Sequence, residues 1–469
     1  MAIVIPITFA CCSGSNSESK TTEATASPTP SYDNTLAKGK VTDSVICRAQ
    51  NNVSYALYLP SYYTSEKKFP CIFFFDSHAR GSLPVNTYKD IAEKYGFVLA
   101  GSNVSKNGLS FDVVNDGAKA MIADSRARIN IDPQRIYTSG FSGGSRVASS
   151  VAVTDGGVAG VIGCAAGLQQ GPQSKFDYFG IVGLYDFNLS EMEQLDEALE
   201  QNGFSHQLLT FSGIHSWPSP ADFQTAVLWL QVNAMKENRQ PKSDSIIAAF
   251  KNDLDKRISD ANTSADLIAE QQLLSGLVRT LNGSTDVTTY QKQLGDLVAR
   301  TDYKNAIALQ QQLQQTESSL QHELGSEFTQ HDENWWSKKI AELNQNVKTA
   351  KTKLESQMYR RTVNYLGLVG YMSASNALNS GDLANASTYL KVFRMADPKN
   401  PDCDYLSAIY FVKSGNNSDA IASLKNAAQS GYSDIQQLTN DPSFAGLRQD
   451  EGFKNIITQV KRNYSGNNL

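Results

Sequence analysis

Between residues 39 and 240, short apolar runs alternate with segments whose apolar positions recur at helical spacing. Residues 53–59 alternate apolar and polar side chains and read as an outer strand. Residues 71–75, Cys-Ile-Phe-Phe-Phe, form an unbroken apolar run, as expected of a strand covered on both faces. Further strands are predicted over 97–100, 135–139, 158–164, 178–184 and 206–211. Helices are predicted over 88–95, 113–129, 145–154, 190–202 and 221–235. The helix at 190 starts on Ser190 as N-cap, with Glu193 three residues on, and stops at Gly203. Strand–helix alternation of this kind implies an α/β fold class: a mainly parallel, doubly wound sheet with helices on both faces.

After Pro241 the strand pattern ends. Residues 243–361 are rich in Gln, Leu, Ala, Lys and Glu, with apolar residues at helical spacing, and read as long amphipathic helices with a break at Gly283-Ser284. Trp335-Trp336 reads as inter-helix packing more readily than as a binding spot. Over 362–463 a repeat is visible: Ser380-Gly381 recurs as Ser414-Gly415, Ala386 as Ala420, and Leu390-Lys391 as Leu424-Lys425, each at an offset of 34 residues. That period, with small residues where helices touch and Pro398 ending a helix, resembles the tetratricopeptide repeat. Such repeats imply a possible protein partner for the C-terminal helices.

The first twelve residues differ from the rest. Residues 2–10 are mostly apolar and end at Cys11-Cys12, and residues 13–38 are mainly polar and read as a disordered tether. This resembles a bacterial lipoprotein signal, which implies export to the cell envelope and lipid attachment at Cys11. The apolar run is too short to span a bilayer, which needs about 20 residues. Membrane contact is therefore expected only through the anchor. Lys and Arg number 42 against 47 Asp and Glu, for a net charge of −5, and no basic stripe is present. Nucleic acid is thus not an expected partner. Cys47, Cys71, Cys164 and Cys403 show no metal-ligand spacing, so no metal is expected; Cys47 and Cys71 could pair if exported.

The chemistry concentrates at Gly140-Phe-Ser142-Gly-Gly144, a G-x-S-x-G between a predicted strand and a predicted helix. This is the context a nucleophile elbow requires. A serine hydroxyl needs a base. Of five histidines, His322 and His331 fall in the helical region, His206 opens a strand and reads as structural, and His78 follows an earlier strand. His215, just past the last predicted strand, is the better base, since such sheets carry their sites at strand C-terminal ends. Between 142 and 215 the acids are Asp155, Asp177, Asp186, Glu191, Glu193 and others on the following helix; Asp186, just past a strand, is the choice for orienting the imidazole. The Gly143 amide is the first expected oxyanion donor, and a main-chain amide at Ser77 or His78 the second. Trp217 either lines the substrate pocket or packs.

Together these residues resemble the α/β-hydrolase superfamily, especially its secreted esterases of the polyhydroxybutyrate-depolymerase and feruloyl-esterase kind. Asn130-Ile-Asp-Pro-Gln-Arg-Ile-Tyr is similar to their segment before the elbow, and Gly213-Ile-His-Ser-Trp-Pro218 to their histidine loop. The resemblance covers about 200 residues and implies a carboxylic ester hydrolase without cofactor, acting on a small or polysaccharide-linked ester. A catalytically silent hydrolase-fold scaffold whose repeats bind a protein, and a serine peptidase, are the alternatives.

Overall fold

The structure, a computed structural model, describes residues 32–155, 157–168 and 175–466. The apolar N-terminal run, Cys11 and most of the polar tether lie outside the described residues.

Eight strands form one sheet: β1 (Val41–Ile46), β2 (Ser54–Tyr58), β3 (Phe69–Phe75), β4 (Val98–Ser102), β5 (Ile131–Phe141), β6 (Gly160–Cys164), β7 (Asp177–Gly183) and β8 (His206–Phe211). Their spatial order is β1-β2-β4-β3-β5-β6-β7-β8. β1 and β2 run antiparallel to their neighbours, and β3 to β8 are parallel. All seven residues of β3 are buried, because it sits between β4 and β5 with helices over both faces. β1 was not expected from the sequence: Val41-Thr-Asp-Ser-Val-Ile carries two exposed polar residues at its centre and only Val45 is buried, the weak pattern of an edge.

Four helices connect strands, α1 (Ser82–Tyr95), α2 (Phe111–Arg128), α3 (Gly143–Asp155) and α4 (Leu189–Gln201), and a fifth, α5 (Pro220–Lys236), follows β8. α1 and α5 share one apolar cluster on one face of the sheet, while α2 and α3 contribute to the cluster on the other. α4 is capped by Asn188 rather than by Ser190. The backbone of Asn188 is already fixed, its N–H donating to Asp186 Oδ1 and its side chain to the Ala165 carbonyl, so the helix begins two residues early.

The remainder is helical: α6 (Asp244–Thr263), α7 (Leu267–Leu281), α8 (Thr288–Ala299), α9 (Thr301–Glu327), α10 (Glu333–Thr349), α11 (Lys353–Ser380), α12 (Leu383–Ala396), α13 (Pro401–Lys413), α14 (Asn417–Gln429), α15 (Ile435–Asn440) and α16 (Glu451–Gly466), with a 3₁₀ turn at Pro442–Leu447. α6 and α7 extend the core of the sheet domain. Phe250, Leu254, Leu273 and Leu277 belong to the same cluster as Trp229 and Phe179, and the Trp229 indole donates to Thr280 across the junction. A second core lies among α9 to α16 and includes Trp336. The 34-residue offset has a physical counterpart. Gly381 and Gly415, at the ends of α11 and α13, both take left-handed backbone (φ +80° and +78°), and Ala386 and Ala420 are both fully buried where helices meet. Among the described residues no helix is long and apolar enough to cross a membrane. Cys47 and Cys71 are buried free thiols.

Candidate active site

Ser142 stands alone between the last residue of β5 and the first of α3, with φ +55°. Left-handed backbone at a non-glycine residue is strained, and such strain clusters at functional sites. The flanking glycines permit the turn: a Cβ on Gly140 would collide with the Gly144 carbonyl, and one on Gly144 with the Phe75 carbonyl at the end of β3. The Ser142 amide donates to the Cys164 carbonyl at 2.9 Å, which ties the elbow to the end of β6. Gly143 opens α3, and first-turn amides have no acceptor within their own helix. The Gly143 N–H and the positive end of the helix therefore lie at the serine.

Asp186 follows β7 by three residues and His215 follows β8 by four. Both therefore sit at the same sheet edge as Ser142. The two loops are laced together, Leu184 N–H donating to the Phe211 carbonyl and Tyr185 N–H to the Gly213 carbonyl. Asp186 is fully buried, and its two oxygens lie 3.0 and 2.9 Å from His215 Nδ1. This hydrogen bond leaves Nε2 as the basic nitrogen. The imidazole stacks on Phe187 at 4.3 Å between ring centres and lies 4.7 Å from the ring of Phe141, the residue before Ser142. The structure thus joins acid to base and sets the base beside the elbow. Among the described residues, Ser142 Oγ itself makes no hydrogen bond to the imidazole; catalytic hydrogen bonds are often long without substrate and tighten when it binds.

Three of the other acids have structural partners. Asp177 pairs with Arg239, Glu191 makes a two-pronged ion pair with Arg146, and Glu193 accepts from Gln310 and Gln314 of α9. His206 is buried, with Nδ1 2.9 Å from the Phe204 carbonyl. His331 stacks on Trp335 in the helical region, and His322 is exposed there.

The loop after β3 carries the second expected oxyanion donor. The His78 amide is already committed to Asp76 Oδ1 at 2.9 Å, which leaves Ser77 as the free choice of the two. Asp76 is fully buried. Burial alone would raise its pKa, but the Arg80 guanidinium, with help from His78 and the Trp217 indole, holds it down at about 2. Trp217 donates Nε1–H to Asp76 Oδ2 at 2.8 Å and packs its ring against Phe74, Tyr88 and Phe141. Its visible work is to brace the loop after β3. Asn107, which sequence reasoning missed, lies over the elbow: its amide donates to the Ser77 carbonyl, and a Cβ on Gly143 would strike its carboxamide. It sits in the loop after β4, and that position was the one signal available.

The helical region closes over one side of this edge. A cleft of about 380 Å³ is lined on one wall by His78, Arg80 and Ile214, sequence neighbours of the site residues, and on the other by Asp402, Tyr432 and Asp434 of the C-terminal helices. Its walls mix charged side chains with apolar surface.

No family model and no curated protein matches the chain. Among solved structures it aligns with FphF, a fluorophosphonate-binding serine hydrolase of Staphylococcus aureus, at 13% identity and a TM-score of 0.35, over 41% of this chain and 99% of that one. The S-formylglutathione hydrolase FrmB of the same organism aligns at 12% identity and 0.33, over 38% and 92%. Thermogutta terrifontis esterase 2 aligns at 13% and 0.35, over 45% and 99%. Likenesses this distant carry no argument about activity. The strand order, the elbow after β5 and the helices on both faces are themselves decisive for architecture: the sheet from β1 to β8 with its flanking helices has the α/β-hydrolase fold, and a helical region follows.

Proposed function

We propose that the chain is a serine hydrolase of carboxylic esters in which Ser142 is nucleophile, His215 general base and Asp186 its orienting acid. The observation that carries this reading is the meeting, at one sheet edge, of a serine at φ +55° on a strand-to-helix elbow with a buried Asp186–His215 hydrogen bond. On this reading His215 Nε2 accepts the Ser142 proton as Oγ attacks the ester carbonyl. The oxyanion is held by the Gly143 and Ser77 amides. The protonated imidazole returns its proton to the departing alcohol, and water then attacks the acyl-serine by the same route in reverse. Small esters and polysaccharide-linked esters are the substrate class this reading takes, following the resemblance of the elbow and histidine loop to those of secreted esterases.

The test is a fluorophosphonate probe. The protein is expected to label, and Ser142→Ala to be unlabelled while still folded; a folded wild type that never labels overturns the reading in favour of a silent scaffold. Esters of varied chain length, acetylated and feruloylated sugars, and a peptide amide then separate esterase from peptidase. The N-terminal segment supports a second part of the proposal, lipid attachment at Cys11 and residence at the cell envelope with the C-terminal helices, tetratricopeptide-like in period, open to a protein partner. Fatty-acid incorporation lost in a Cys11→Ser, Cys12→Ser double variant is its check.

A further inference from the structure

The segment that carries Asp186 is held from two sides. Its amides, at Leu184 and Tyr185, are bound by the histidine loop. Its carbonyls point the other way and are bound from α11, more than 170 residues later in the chain: Arg361 Nη1 donates to Leu184 O at 3.0 Å, and Asn364 Nδ2 to Tyr185 O at 2.7 Å. Arg361 is not free to move. It is buried, and its guanidinium grips the equally buried Glu317 of α9 through Nε at 2.9 Å and Nη2 at 2.6 Å. Two long helices thereby form a rigid bracket against the peptide units next to Asp186. α4, which starts three residues after Asp186, is clamped to the same helix by Gln310 and Gln314.

We propose that Arg361 and Asn364 are positioning residues for catalysis: by fixing the Leu184 and Tyr185 carbonyls they set the orientation of Asp186 toward His215, so that the helical region is part of the catalytic apparatus and not only an appended module. This rests on the triad reading above. The physical ground is geometric. An Asp–His pair orients the base only while its carboxylate stays in line with Nδ1, and displacements of about 1 Å in such groups cost about a hundredfold in rate. The end of β8 and the histidine loop fix the amides of residues 184 and 185, while among the described residues the carbonyls have their partners only on α11.

The experiment uses the full chain and a fluorophosphonate, with kinact and KI separated by saturation, alongside the low-field proton resonance of the imidazole N–H bound to Asp186. Asn364→Leu removes the donor at similar volume, and Asn364→Ala, run in parallel, truncates without added bulk. Both are expected to lower kinact by about tenfold or more with KI within about twofold, since orientation and not binding is lost, and to shift or broaden the resonance. Asn364→Gln, which keeps an amide donor, is expected to recover part of kinact. Asp382→Ala, which removes the side-chain cap of α12 in the same helical region, is the control. It should lower the melting point and leave kinact unchanged. The inference is overturned if the Asn364 variants label at the wild-type kinact with an unchanged resonance, or if Asp382→Ala slows labelling as much as they do. Failure of the triad reading looks different: wild type itself would not label.

Discussion

At the scale of single residues, the site is made by backbone that most sequences avoid. Ser142 holds φ +55°, and a side chain there carries a steric cost that glycine does not. The cost is local, so it is separable from catalysis by comparing two inactive variants. Ser142→Ala keeps the Cβ and the strain, whereas Ser142→Gly removes both. Ser142→Gly is expected to be about 1 kcal/mol more stable than Ser142→Ala in urea unfolding, with neither labelled by a fluorophosphonate. Equal stabilities would mean that the elbow is not strained. This residue-scale feature was legible in the sequence because glycine on both sides of a serine, between strand and helix, has few other uses. Trp217 and His78 were less legible. An indole N–H braced on Asp76 and an amide committed to the same carboxylate depend on a buried Asp76–Arg80 pair that spacing alone does not reveal.

Elements were readable where burial is one-sided or complete, and obscure where it is neither. β3, apolar throughout, and β5, running into the elbow, were found from pattern, with their ends extended by a few residues in the structure. β1 was missed because an edge strand buries little, and the start of α4 moved because Asn188 is held by Asp186 and Ala165 rather than by local capping. The long helices were legible, but not what their polar residues face. Glu317, mid-helix in a Gln-rich stretch, is buried against Arg361, and nothing in its spacing marks that. Burial raises the Glu317 pKa against the pull of the guanidinium, so desolvation is the larger effect in this pair. Glu317→Gln should therefore cost about 3–5 kcal/mol by leaving Arg361 buried without its counter-charge. A Glu317→Leu, Arg361→Met double variant should recover most of that. Because Leu184 O stays without its donor in the double variant, restored stability with persistently slow labelling is the expected pairing. Denaturant unfolding read together with probe kinetics checks both halves.

For the whole molecule, the division into a sheet domain and a helical region is clear in the sequence but the way they join is not. The junction is polar. Glu193 of α4 faces Gln310 and Gln314 of α9, with Glu317 and Arg361 close by, and burial lifts its pKa from 4.5 to about 6 despite those hydrogen bonds and the guanidinium. A carboxyl raised in the folded state keeps its proton more tightly folded than unfolded. Its contribution is therefore fully favourable below about 4.5 and is lost as pH rises through about 6. Above that window the molecule holds a buried negative charge next to a second carboxylate, and the joint between α4 and α9 should loosen. Glu193→Gln fixes the neutral form while keeping a side chain able to bond both glutamines. Relative to wild type, it should be nearly neutral at pH 4.5 and more stable by about 1–2 kcal/mol at pH 7, so the difference between the two proteins, measured by urea unfolding across this range, should rise with pH and level off above about 6. Glu317 and Arg361 are present in both proteins, and their own titration largely cancels in that difference. A difference that stays flat with pH would mean that Glu193 is charged in the folded molecule throughout, and that the joint is not the pH-sensitive element.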